Sequence, residues 1–141
     1  MFALIISIIA IALVVALAGA TLYYGGDAFT QGAARSSAAA LVNQGQQIAG
    51  AWTLAEAENG GAAPANLNAL VTAGFLAAVP TSPVTDTWAL SAGNTSIEVT
   101  GASLSKEICD QVNKMPGAGD TGVFQCTTDD ATKVNTFTYD L

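Results

Sequence analysis

An α+β fold is expected: a long N-terminal α-helix, its apolar half projecting, with a small antiparallel β-sheet head packed on its C-terminal half. Three observations predict it. Phe2 to Leu22 is a charge-free run of mostly Ile, Leu, Val and Ala, interrupted mildly by Ser7, Gly19 and Thr21. Residues 27–58 repeat apolar and small side chains at three- and four-residue steps. Beyond Gly61 the chain is divided by Gly, Pro and Asn into short segments, several alternating in polarity. The 141 residues leave room for one modest domain beyond the helix. Two segments follow: 1–26, an apolar membrane or filament-core helix, and 27–141, a head that includes the amphipathic half of the helix.

The first segment dictates the rest. About 20 apolar residues at 1.5 Å rise make a helix of about 30 Å, enough to cross a bilayer core. The run is apolar all the way round, so it has no polar face to turn to water. Three readings compete. A cleaved secretory signal is suggested by Ala18-Gly19-Ala20, but the run is long and no Lys or Arg precedes it. A plain membrane anchor normally carries Lys or Arg on its cytoplasmic flank, where only the terminal amine stands here. The third is a helix that leaves the membrane and packs against copies of itself. A chain opening directly in hydrophobic sequence fits a precursor whose short charged leader has been removed.

Tyr23 and Tyr24 suit a membrane interface. Gly25 and Gly26 each weaken a helix by about 1 kcal/mol relative to Ala, so a local break or loosening is expected there. From Asp27 the helix becomes amphipathic. Ala34, Ala38, Leu41, Val42, Gly45, Ile48, Ala49, Trp52 and Ala55 form one face, with Arg35, Asn43, Gln44, Gln46, Gln47 and Glu56 on others. Asn59-Gly60-Gly61 is a stop signal. A near-continuous helix over 2–58 would be roughly 85 Å long, more than a globule of this size needs.

The head then follows in short elements. Asn66 is placed to cap a short helix through Leu67, Leu70 and Val71 that ends at Gly74. Pro80 to Thr87 is loop. Trp88-Ala89-Leu90 is a first strand, Ala92-Gly93-Asn94 a turn, and Ser96 to Thr100 a second, alternating strand. Leu104 to Val112 is a short helix capped by Ser103 or Ser105. Val123 to Cys126 and Val134 to Tyr139 are the last two strands.

Composition limits the chemistry. Four Lys/Arg against eleven Asp/Glu give a net charge of −7. An acidic head with no basic cluster is a poor nucleic-acid binder, because phosphate contacts need Lys and Arg. The absence of histidine removes His-based triads and most catalytic zinc sites. Cys109 and Cys126, a lone pair in a chain with an export-like N-terminus, are expected to form one disulfide. Closing that loop is worth about 3 kcal/mol in the chain-entropy model.

At this point the chain resembles a type IV pilin over its whole length. Met1-Phe2-Ala3-Leu4-Ile5 resembles the start of a mature pilin. Leu67-x-x-Leu70-Val71-x-x-Gly74-Phe75-Leu76, then Val79-Pro80 and Trp88, resembles the pilin segment leading from the helix into the sheet. Cys109 and Cys126 resemble the pair that staples the C-terminal region of pilin heads. The Met start, the cysteine placement and the closing Phe137-x-Tyr139-x-Leu141 lean toward the type IVb branch.

The resemblance implies a homo-oligomeric extracellular filament, an inner-membrane assembly platform and motor, and a prepilin peptidase with methylation of the processed N-terminus at Met1. It also implies a filament core, here built by Phe2, Leu4, Ile5, Ile6, Ile8, Ile9, Ile11, Leu13, Val14, Val15, Leu17 and Leu22; the paired glycines Gly25 and Gly26 themselves are the candidate for where the helix loosens to accommodate that packing. One departure is plain. Most bacterial pilins place a glutamate five residues into the mature chain, where this chain has Ile5, or Ile6 if Phe2 is the start. Assembly by apolar packing alone, a specialised minor subunit and an archaeal-type pilin all fit that departure.

Other candidate chemistry is thin. Asp120, Asp129 and Asp130 lack the spacing of an EF-hand and read as solvated carboxylates. Asn94-Thr95-Ser96 satisfies the glycosylation acceptor rule, as many chance triplets do. Glu56 and Glu58 stand two apart on different helix faces, and Ser36-Ser37 has no histidine to activate it. No enzyme, cofactor or metal site is expected. The strongest alternative is a monomeric membrane-anchored extracellular binding domain; within the family the alternatives are a minor pilin and a secretion pseudopilin.

Overall fold

The computed structural model describes residues 1–141. Its elements are α1 (Phe2–Glu58), α2 (Leu67–Thr72), β1 (Trp88–Leu90), β2 (Ser96–Gly101), α3 (Lys106–Val112), β3 (Phe124–Asp129) and β4 (Val134–Asp140). The chain divides into two compact units, Met1–Ala33 and Ala34–Leu141. The first is helix only. The second holds the core and every strand.

Helix α1 is unbroken. Gly25 and Gly26 are both helical, so the local break expected there is absent. A cost of about 1 kcal/mol per glycine does not stop a helix whose neighbours on both sides already supply the hydrogen-bond ladder. The helix ends where the left-handed region opens. Gly60 and Gly61 have φ of +68° and +90°, and the Gly61 N–H reaches back to the Glu56 carbonyl at 2.8 Å. That bond satisfies one of the carbonyls a helix end leaves free.

In the second unit, α1 buries Ala34, Ala38, Leu41, Gly45, Ile48, Ala51, Trp52 and Ala55. Val42 and Ala49 are only partly buried at the margin of that stripe. The stripe lies against a four-stranded sheet of order β1-β2-β4-β3, antiparallel throughout. Alternation along β4 directs Asn135, Phe137 and Tyr139 into the core, while β2 contributes Ile97 and Val99. Phe137 is fully buried. Trp88 meets it edge-on at 5.9 Å, and Phe124 stacks on Tyr139 at 6.1 Å. Aromatic pairs of this kind add about 0.5–1.5 kcal/mol beyond the area they bury.

The short helices are set by their caps. Asn66 accepts the Ala69 N–H at 2.8 Å and starts α2. Ser105, rather than Ser103, starts α3 by accepting the Ile108 N–H. Strand β3 runs three residues past the expected Cys126 end, to Asp129. Its partner β4 continues opposite it, and the register closes with Asp129 across from Val134.

The closest approach in the core is at Gly45. A Cβ built there would sit 2.7 Å from Tyr139 Cδ2 and 2.9 Å from Cγ, whereas one at Gly50 meets nothing within 4 Å. The two glycines are therefore expected to respond in opposite directions. Gly50→Ala should raise stability by up to about 1 kcal/mol through helix propensity. Gly45→Ala should lower it by about 1–3 kcal/mol, because the buried Tyr139 ring has no room to yield. Guanidinium denaturation of the detergent-solubilised full chain, followed by near-UV circular dichroism, checks both signs.

Candidate functional site

The unit Met1–Ala33 presents the largest apolar surface of the chain. Phe2, Leu4, Ile5, Ile6, Ile8, Ile9, Ile11, Leu13, Val14, Val15, Leu17 and Leu22 are all more than half exposed, from 54% at Ile5 to 85% at Phe2. Tyr23, Tyr24 and Phe29 extend the exposed series, with the two tyrosine rings edge-to-face at 5.6 Å. Isolated exposed apolar residues are ordinary, but a contiguous surface of this size marks contact with protein or membrane. Ser7 and Thr21 do not give it a polar face. Their hydroxyls fold back onto the Leu4 and Ala18 carbonyls at 2.9 Å. The helix is long and apolar enough to cross a membrane.

Two of the expected site residues are brought together in the head. Cys109 on α3 and Cys126 on β3 form a disulfide, with Cα atoms 5.1 Å apart. Both are buried. Beside it stands a residue the sequence reading did not single out. The Asn113 amide donates to the Cys126 carbonyl at 2.8 Å and accepts the Cys126 N–H at 3.0 Å. It thereby plays the part of a neighbouring strand on the outer edge of β3. Phe124 lies next along that edge, and its carbonyl accepts the Gly119 N–H at 3.0 Å. An open edge is a template for unwanted pairing, and here a helix-terminal amide and a loop close much of it.

Gln44 also departs from expectation. Expected on a face other than the apolar stripe, it is half-buried beside that stripe: its Oε1 accepts the Trp88 indole N–H at 3.1 Å, and its Nε2 donates to the Thr81 carbonyl at 2.9 Å. One side chain of α1 thus holds both β1 and the loop before it. A signal was present, since Gln44 lies within the run of buried positions Leu41, Gly45 and Ile48. Asn135 plays a comparable role in β4, where its buried amide donates to the Leu104 carbonyl.

The acidic residues at the β3–β4 turn are engaged locally. Asp129 accepts from the Thr132 hydroxyl at 2.6 Å and from the Ala131 and Thr132 N–H groups. The Thr132 bond, then those backbone bonds, hold its carboxyl below the usual range. Asp130 pairs with Lys106 at 3.1 Å, and Asp120 stands apart on an exposed loop. No three His, Cys, Asp or Glu side chains converge. Asn94 occupies the β1–β2 turn with φ of +57°. The Ser96 hydroxyl of the same triplet is buried and bonded to Ser91 at 2.8 Å. Glu56 and Glu58 fall on α1 without an ion partner.

No family model, curated protein or solved structure matches this chain.

Two predictions follow from the head. Replacing both cysteines, as Cys109→Ser with Cys126→Ser, should lower stability by about 3 kcal/mol, read as a shift in denaturation midpoint that reducing agent reproduces in the native chain and not in the variant. Asp129 has its pKa lowered by folding, so its contribution is present above the pKa of the unfolded chain and fades as pH falls through the folded value. The gap in thermal midpoint between the native chain and Asp129→Asn should therefore be open at pH 7 and close in acid, well below about pH 4.

Proposed function

We propose that this chain is the structural subunit of an extracellular helical filament of the type IV pilus kind. The observation that carries the reading is the exposed apolar surface of Phe2–Leu22 on the same unbroken helix whose residues 34–55 build the core of the head. No turn or loop interrupts α1 between its apolar and its core-forming residues.

Full burial of each large apolar side chain is worth roughly 1.5 kcal/mol or more relative to water. In lipid the segment holds the monomer in the inner membrane with its head outside. On extraction, copies bury the same surface against one another, and the sum over Phe2–Leu22 makes the polymer stable in water. The partners of this reading are identical subunits, an assembly platform with its motor, and a prepilin peptidase that leaves a methylated N-terminus. Gly25 and Gly26, helical in the single chain, are where α1 loosens as copies pack. The disulfide and the closed edge of β3 serve a head that works outside the cell.

A second reading draws on the same helix. Its length and apolar character suit a membrane span, which would make the chain an anchored extracellular binding domain. A minor pilin or secretion pseudopilin is the neighbouring form of the first reading.

Electron microscopy of shear-released surface material, with mass spectrometry of its main band, separates these. Filaments built of this chain and beginning at a methylated Met1 or Phe2 are expected. Recovery only in the membrane fraction would favour the anchored domain, and trace amounts within filaments of another protein would favour a minor subunit. Gly25→Pro should reduce filament yield while leaving the head folded; normal filaments from that variant would remove the role given to the glycine pair.

A further inference from the structure

Residues 1–55 contain two charged side chains, Asp27 and Arg35. They are opposite in sign, and neither has an ion partner within the chain, whose one ion pair is Lys106–Asp130. Both are exposed. The Arg35 Nε–H donates to the Gln111 amide oxygen at 3.2 Å, which leaves its two terminal amino groups free. The remaining exposed residues of α1 from Phe2 to Ala55 are apolar, small, hydroxyl or amide.

An uncharged helix surface can be covered by another helix at little electrostatic cost. An isolated charge within that surface cannot, because its desolvation is repaid only by a well-placed partner. Asp27 and Arg35 cannot supply that partner to each other within one helix. Side chains meet at three- and four-residue steps, and these two are eight residues apart, about 12 Å along the axis. Between two parallel copies the same separation becomes an advantage. Sliding one copy by about 12 Å brings its Arg35 level with Asp27 of its neighbour.

We propose that an ion pair between Asp27 of one copy and Arg35 of the next sets the axial stagger of neighbouring subunits at about 12 Å. The inference rests on the filament reading above and adds its register. The contact is heterologous: each copy offers Asp27 to one neighbour and Arg35 to another. A contact of that kind propagates into an open helical polymer rather than closing as a dimer. It also specifies register in a core whose large side chains, Ile and Leu on every face, discriminate poorly between one stagger and another.

The test uses the full chain expressed with its assembly machinery, with filament mass in the sheared fraction as readout. Asp27→Asn and Arg35→Gln should each lower that mass by about tenfold or more. The exchange Asp27→Arg with Arg35→Asp should restore it to within about threefold. Gln111→Ala, which removes the intramolecular bond to Arg35, should leave it unchanged. Near-UV circular dichroism of each extracted monomer should match the native chain, since both charges lie outside the core. Helical reconstruction of the native filament should show neighbouring copies of α1 offset by about 12 Å.

Unchanged filament mass in either single variant overturns the ion pair. So does a defect in Asp27→Asn without one in Arg35→Gln, which would assign Asp27 to another cation such as the terminal amine. Failure of the exchange to restore assembly overturns it as well. Native chains that form no filament in the same host refute the filament reading, and this contact with it.

Discussion

The head depends on one close approach: the Tyr139 ring lying on the backbone of α1 at Gly45. Without a Cβ at that position the sheet can settle against the helix, and Leu41, Ile48 and Trp52 on either side reach Phe137, Ile97 and Val99 as one buried cluster. Glycine inside a helix costs stability on its own account. The core repays it by bringing a central strand into contact with the helix, where packing density matters most. The remaining elements are arranged around this contact, with β2 and β3 flanking β4 and α3 stapled to β3 by the disulfide.

Much of the architecture was legible from the residues. The uniform apolar run and the stripe through Ala34, Ala38, Leu41, Ile48, Trp52 and Ala55 fix the helix and its inward face, because a 3.6-residue period has few other interpretations. Asn66, and Ser103 or Ser105, announce short helices through side-chain capping chemistry, and the structure uses Asn66 and Ser105. The alternation of Ser96–Thr100 and Val134–Tyr139 places the strands. What could not be read was the order of those strands. Nothing local tells β4 to enter between β2 and β3, because that choice rests on contacts between residues far apart in sequence.

The polar clamps were hidden for a related reason. Gln44, Asn113 and Asn135 look like solvent-facing amides until a partner is named, and each partner lies on a different element: Trp88 and Thr81, Cys126, and Leu104. An amide can donate and accept at once, so a single side chain can finish two backbone or indole groups that burial would otherwise leave unsatisfied. The glycine pair misleads in the opposite direction. Gly25 and Gly26 look like a break, yet a long helix absorbs two weak residues when both flanks are strong.

The strand order has a consequence for how the molecule is made. The last strand in sequence, β4, occupies the interior of the sheet. A ribosome or a translocation channel releases α1 before Phe137 and Tyr139. Until then β2 lacks its main partner and β3 its partner strand. The head therefore forms after β4 has cleared the channel, in a step dominated by contacts distant in sequence, which fold slowly compared with local ones. A chain truncated by even one strand would emerge with its helix intact and its core missing, a ready substrate for quality-control proteolysis.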